Sequence, residues 1–468
     1  MNPSASFPHR VSDALANAQL RTALDRATSQ LGSRRILALA TLDEADAVRD
    51  RARAARLKAI ANLGAYLERF EAKLLSNGAQ VHWAQTPADA NAIITEIARR
   101  TSTRVAVKSK SMVSEETHLN DALERSGVEV VETDLGEYIV QLRRDRPSHI
   151  IAPIVHLTRQ DIGRVMSERL SVPYTDDTRE LAAIARTRLR QEFLRADMGI
   201  SGANFGVVET GTICLVTNEG NGRMVTTMPR VHVALMGIEK LVETMDELDS
   251  CLKVLARSAT GQKITVYTTL VRAPRGAHDS DGPEELHVVF LDNGRSRMLA
   301  GETAEILACI RCGACLNACP VYRTIGGHAY GDTYPGPVGA IVTPGLRGLH
   351  PWGELAHASS LCGACREVCP VRLDIPAMLL SLRNEAKGSQ PPLMKAAMRM
   401  FAWTATKPRL YRAAMKMMRR ALAGRSSAGW IRRLPGMAAG WTSSRDLRAP
   451  ASRSFQDQWR DRQRSTAR

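Results

Sequence analysis

The run CIRCGACLNACPV, residues 309–321, is the stretch from which the rest of the chain can be read. It sets Cys309, Cys312 and Cys315 at every third position, Cys319 after three more residues, and Pro320 directly behind. A regular helix cannot aim three thiols at one point with that spacing, but a tight wrap of backbone can. Gly313 supplies the conformational freedom that lets amides approach such a centre, and Pro320 turns the chain away from it.

The motif is repeated. CGACLNACPV at 312–321 recurs as CGACREVCPV at 362–371, an offset of fifty residues. The spacing is that of bacterial ferredoxins, in which the fourth cysteine of each run ligates the other run's cluster. On that rule one cluster takes Cys309, Cys312, Cys315 and Cys369, and the other takes Cys319, Cys362 and Cys365. The eighth ligand is missing, because Ser359 stands where Cys309 has its counterpart. Two [4Fe-4S] clusters are expected. For the second, three forms stay open: a [3Fe-4S] cluster, a four-iron cluster with a non-cysteine ligand such as Ser359, or one with an open iron. Structural zinc is the competing reading, but it uses four ligands per ion in pairs of cysteines, and three cysteines in each run followed by proline favour iron and sulfur. Cys214 and Cys251 lie in apolar surroundings and read as core residues.

Composition bounds the rest. The chain has 468 residues, 44% hydrophobic and 24% charged, which is globular and long enough for two or three domains. The opening MNPSASFPHRVSDAL lacks the basic start and apolar stretch of an export signal, and no run of about 18 apolar residues predicts a spanning helix. A cytoplasmic location is therefore expected, where reduced thiols argue against a disulfide framework. The net charge of +16 is concentrated at one end: residues 391–468 hold 18 Lys and Arg against 3 Asp and Glu, leaving 46 against 45 elsewhere. Only this tail invites an anionic surface.

Residues 11–75 are expected to be helical, with apolar positions at helical spacing in LKAIANLGAYLERFEAKL (57–74) and a stop at Asn77-Gly78. Apolar runs then alternate with helical stretches: RVAVKSK (104–110), EETHLNDALERSG (115–127), VEVVETD (128–134) and HIIAPIVH (149–156). That alternation predicts a doubly wound α/β domain with a parallel sheet. Further β-like runs follow in GANFGVVETGTICLVTNEGNG (202–222), ITVYTTLV (264–271) and LHVVFLDNG (286–294), and Glu302 to Ala308 are expected to be helical. The expected organisation is an α/β domain over 1–295, a mainly α-helical, ferredoxin-like two-cluster domain over 296–390, and a basic helical tail over 391–468. The Gly- and Pro-rich GGHAYGDTYPGPVGAIVTPGLRG (326–348) reads as a loop between the cysteine runs. The tail reads as two Met-rich amphipathic helices followed by a loosely ordered Ser- and Arg-rich end.

Lys108, Lys110, Glu209, Asn218, Glu219 and Asn221 fall at the ends of expected strands, where α/β sheets place ligands. The lysines could hold a carboxylate and NEGNG could form an anion nest; a turn with structural ion pairs explains them equally well. His328, nine residues past Cys319, reads as a hydrogen-bonding residue in a Gly-rich turn rather than a ligand.

Eight motifs, two of them the cysteine runs, carry a resemblance: VKSKSMVSEE (107–116), ETDLGEYIVQL (132–142), PSHIIAPIVH (147–156), ETGTICLVTNEGNGR (209–223), GIEKLV (237–242), LDNGRS (291–296), CIRCGACLNACPVYRTIGGHAYG (309–331) and SLCGACREVCPV (360–371). Through nearly its whole length the chain resembles the lactate utilisation protein B family, the iron-sulfur subunits of a three-protein L-lactate oxidation system. The resemblance implies a fold related to sugar-phosphate isomerases and CoA-transferases, and two four-iron clusters held by seven cysteines. It also implies two partners, a cysteine-rich redox subunit and a second protein with the lactate-utilisation domain. Ala273 in VRAPRG and Gly331-Asp332-Thr333 depart from the family's usual residues, and neither touches an expected ligand.

The functional expectation is an electron-transfer subunit of an oxidoreductase rather than a complete enzyme, with no catalytic residue assigned: no GxGxxG follows a strand and no Ser/His/Asp set emerges. The alternatives are the same role with another 2-hydroxy acid such as glycolate, or an iron-sulfur sensor that binds DNA. The tail could touch a membrane peripherally or a redox partner. Without a reading motif its charge supports no specific nucleic-acid contact.

Overall fold

The stretch VHVALMG, 231–237, is buried at every position, as a strand covered on both faces of a parallel sheet must be. Among the described residues ten strands precede the cysteine runs: β1 Gln80–Ala84, β2 Val105–Lys108, β3 Glu129–Glu132, β4 Met198–Ser201, β5 Phe205–Val207, β6 Thr212–Thr217, β7 Val231–Gly237, β8 Leu241–Val242, β9 Tyr267–Val271 and β10 Glu285–Leu291. Six form a wholly parallel sheet in the order β1-β10-β7-β4-β2-β3. The other four form a mixed sheet, β8-β5-β6-β9. The computed structural model describes residues 6–386, 392–442 and 445–466.

Parallel strands need crossovers, and the sequence marks where these begin. Between β1 and β2 the Pro87–Arg100 helix opens with a reciprocal cap: the Asp89 amide donates to Thr86 Oγ1 at 3.2 Å and the Thr86 amide to the Asp89 carboxylate at 2.9 Å. The helical start is also present, as Phe7–Ala16, Ala18–Ala40, Ala45–Ala61 and Leu63–Ser76, and the chain leaves the last of these at Asn77 and Gly78, where φ is 90°.

Two expectations are corrected. HIIAPIVH forms turns, not a strand. His149 Nδ1 accepts the amides of Ile151 and Ala152 at 3.0 and 3.2 Å, and Pro153 has no amide to give, so no ladder can form. The supposed loop 326–348 contains a twelve-residue helix, Gly336–Arg347, with Pro337 in its first turn. It is buried at ten positions, so tertiary packing outweighs the helix-breaking tendency of its Gly and Pro residues.

From 301 to 386 every regular element is helical. Met1–Ala386 packs as one unit, because the N-terminal helices cover the cysteine runs as well as the sheets. Ala18–Ala40 packs on the short helices Ala314–Ala318 and Pro320–Ile325. Arg35 donates to the Val368 carbonyl at 2.9 Å, and Arg49 to the Cys369 carbonyl at 2.7 Å. Residue 295 therefore marks no break in packing.

Lys387–Arg468 is a second unit. It contains the helices Pro392–Ala405 and Pro408–Ala423. Where a loose end was expected, the described residues include a two-residue antiparallel ladder, Trp430–Ile431 with Leu447–Arg448, and a helix, Phe455–Thr466. Residues 443–444 and 467–468 of that end lie outside the described residues. Among the described residues no helix is long and apolar enough to cross a membrane.

Candidate metal centre and adjoining cavity

The two cysteine runs share a backbone. Arg311 and Leu361 are left-handed, at φ 57° and 54°, and so are Gly313 and Gly363, at 74° and 85°. The left-handed conformation costs a non-glycine residue roughly 1–2 kcal/mol, and here it turns an amide onto the side chain two residues back. The Arg311 amide donates to Cys309 Sγ at 3.4 Å, and the Leu361 amide to Ser359 Oγ at 3.1 Å. After each glycine a short helix begins, Ala314–Ala318 or Ala364–Glu367, carrying Cys315 or Cys365.

The thiols of the two runs lie close enough to act on one another, across the runs as well as within them. Burial and then the neighbouring Cys369 and Cys309 push the Cys312 thiol up; burial and then Cys309, Cys312 and Cys369 do the same to Cys315. Cys369 is pushed up to about 11 by burial and then by Cys309. Cys365 is pushed up to about 12 by burial and then by Cys319, while Cys319 is raised by burial and feels Cys362. Cys362 is exposed, and the Ala364 amide holds its thiol below the usual value. Cys369 thus acts on Cys312 and Cys315 of the first run and Cys319 on Cys365 of the second, while Cys365 also reaches Cys315.

Such a set suits an iron-sulfur cluster. Buried thiolates that repel one another need a cation among them, and amide donors aimed at cysteine sulfur stabilise the charge a cluster leaves on it. Cations also surround the first run: Arg56, Lys240 and Arg311 each interact electrostatically with Cys309.

Cys214 and Cys251 are buried, neighbour each other, and are each pushed up to about 12, chiefly by burial; they belong to the core. His328 Nε2 donates to the Arg146 carbonyl at 2.7 Å, and the His328 ring packs on His156 with centroids 4.6 Å apart. Its partners are thus Arg146, His156 and Asp145, 3.8 Å away.

A cavity of about 500 Å³ opens beside the first cysteine run. Its wall includes the segments that leave the carboxyl ends of β2 (Ser109 and Lys110), β3 (Asp134 to Gly136) and β4 (Gly202 to Asn204), together with Ile310 and Arg311 from the first cysteine run. This is where parallel sheets place ligands. Of the six strand-end candidates, Lys110, Asn218, Glu219 and Asn221 line it. Lys108 does not: it is held in the core by Glu132 at 2.7 Å and Glu115 at 3.0 Å. Glu209 accepts the Met245 amide at 2.9 Å and caps a helix instead. Sequence reasoning missed Lys240 and Arg311 as cavity residues, although GIEKLV and CIRC each place a cation among apolar residues, beside Glu239 in the first case.

Three family models match consecutive parts of the chain: a LUD domain over 67–291, a 4Fe-4S dicluster domain over 305–373, and the C-terminal region of lactate utilisation protein B over 379–464. Lactate utilization protein B of Bacillus licheniformis is 43% identical over 462 residues, covering 98% of this chain and 97% of its own. The chain belongs to the lactate utilization protein B family. That of Bacillus velezensis is 42% identical over 98% of both chains. The uncharacterized electron transport protein YkgF of Escherichia coli K12 is 41% identical, over 98% of this chain and 97% of that protein. A crystal structure of a duf162 family protein from Deinococcus radiodurans aligns with 49% of this chain and 98% of its own at 17% identity, with a TM-score of 0.28. As a member of the lactate utilization protein B family, the chain has an α/β domain with a parallel sheet, followed by an iron-sulfur dicluster domain.

Proposed function

We propose that this protein is the iron-sulfur electron-transfer subunit of a complex that oxidises L-lactate to pyruvate. The observation that carries the reading is the proximity of the two cysteine runs, with Cys369 acting on Cys315 and Cys319 on Cys365; two redox sites held there would lie side by side. When bound, the clusters supply one-electron steps. Cys309, Cys312, Cys315 and Cys369 would hold the first [4Fe-4S] cluster in a ferredoxin-like arrangement. Cys319, Cys362 and Cys365 would hold the second, with Ser359, an open iron or a three-iron form making up the eighth position.

The chain's own residues divide the labour. Arg56, Lys240 and Arg311 offset negative charge around Cys309 in a buried setting, which favours the reduced state there. Cys362 is exposed, so the second site is the one a partner can approach for electron exchange. Oxidising a 2-hydroxy acid releases two electrons and two protons, and two adjacent one-electron sites can take that pair singly. The partners proposed are a cysteine-rich redox subunit and a second protein with the lactate-utilisation domain. We place the complex in the cytoplasm. The basic tail, with Met and aromatic side chains exposed on Pro392–Ala405 and Pro408–Ala423, provides for peripheral contact with an anionic membrane.

The test is anaerobic purification of the intact complex, followed by addition of L-lactate or glycolate. Bleaching of the cluster absorbance by L-lactate is the expected result. Bleaching by glycolate alone would move the reading to that acid, and a colourless, iron-free protein would overturn it.

A further inference from the structure

Lys240 and Arg311 both line the cavity; each acts on Cys309, and the Arg311 guanidinium lies over the Tyr334 ring, 4.9 Å from its centroid. Glu239 is fully buried, and its Oε2 is taken by Arg295 Nε at 2.6 Å. Its other oxygen, Oε1, has no hydrogen bond, and both Lys240 Nζ and Arg311 Nη2 stand off from it at 3.8 Å. Arg311 has two further buried nitrogens, Nε and Nη1, without a partner, and Asn221 has an unpartnered buried Oδ1. All three residues line the cavity at the carboxyl ends of the parallel strands. Buried polar atoms are rarely left so, because an unpaired one loses its hydration with nothing in return.

From this we infer that the cavity binds an organic acid carrying a single negative charge on an apolar body larger than a three-carbon acid. The charge follows from the donors: two buried nitrogens of Arg311 have no partner, and a carboxylate supplies acceptor oxygens to a guanidinium. The body follows from size and surface. At about 500 Å³ the cavity falls within the range of sites for drug-sized ligands, and Ile154, Leu215 and Leu255 contribute to an apolar wall that a free inorganic anion would leave bare.

The position gives the site its meaning. Ile310 and Arg311 both line the cavity and separate Cys309 from Cys312 in the chain, so a ligand there sits against the first cysteine run. In this respect the inference rests on the electron-transfer reading above; the carboxylate site itself does not.

The test is calorimetric titration of the anaerobically purified, iron-loaded full chain with pyruvate, hexanoate and inorganic phosphate, alongside the variant Lys240→Met. The expected result is hexanoate binding that weakens at least tenfold in Lys240→Met, weaker binding of pyruvate, no binding of phosphate, and a changed paramagnetic resonance signal from one of the two clusters on adding hexanoate. No hexanoate binding, equal binding of phosphate, or an affinity unchanged by Lys240→Met would overturn it. Iron content and visible spectrum are read on the same samples. Their absence counts against the electron-transfer reading, whereas a fully loaded protein that ignores hexanoate counts against the cavity alone.

Discussion

Ser359 Oγ accepts the Leu361 amide at 3.1 Å, in the geometry by which Cys309 Sγ accepts the Arg311 amide at 3.4 Å one repeat earlier. With Leu361 and Arg311 matching in φ as well, Ser359→Cys should place an eighth thiol without disturbing the loop. The variant is expected to hold about eight irons per chain, with an altered resonance signal for the second cluster and an unaltered one for the first. A change confined to the first cluster would show that position 359 does not face the second.

The exchange of cysteines can be tested one residue at a time. Cys369→Ser should remove the same cluster signal as Cys312→Ser, and Cys319→Ser the same signal as Cys365→Ser, each variant losing about half of the iron. If Cys369→Ser instead removed the signal lost in Cys365→Ser, each run would hold its own cluster.

Arg56 is 1% exposed and donates to the carbonyls of Leu241, Glu239 (2.6 Å), Leu307 (3.0 Å) and Ala308 (3.3 Å). It joins the Ala45–Ala61 helix to β8 and to the segment that enters Cys309. Removing it strands several buried acceptors at about 1–3 kcal/mol each, so Arg56→Met should cost at least about 3 kcal/mol, read as a lowered urea midpoint under anaerobic conditions. A midpoint equal to that of the unaltered chain would mean that water replaces the guanidinium without cost.

His232 lies within β7, 2.8 Å from Ser201 Oγ, and burial followed by the neighbouring His287 lowers its basicity to about 3. Its folded value lies below its unfolded value near 6.5, so protons bind the unfolded chain preferentially. Stability from this group is complete above about pH 6.5 and falls toward pH 3, by up to about 1.4 kcal/mol per unit. The apparent Tm should drop between about pH 7.5 and 5.5, and His232→Gln should reduce that drop. An identical drop in both proteins would assign the pH dependence to other groups.

Much of this was legible in residues that act locally. The left-handed turn at Gly313 and the helix stop at Asn77-Gly78 each involve a few neighbours in the chain, and each is present. The strand at HIIAPIVH and the loop at 326–348 misled because their outcome depends on distant partners. His149 satisfies its neighbours' amides while its Nε2 lies 3.1 Å from Asn317 Oδ1, and the Gly336–Arg347 helix is held by burial. Lys108 and Lys110, two residues apart, looked alike in sequence; the sheet directs the first to Glu132 and the second to the cavity.

By itself the sequence determined where cysteines stand at ligand spacing and where the backbone bends between them, because cysteine spacing and glycine placement act over a few bonds. Only the tertiary structure decided that the N-terminal helices cover the cysteine runs and that Lys240, Arg311 and Asn221 converge on one cavity. Those residues are far apart in the chain, and it is the crossing of a parallel sheet and the burial of charge that bring them together.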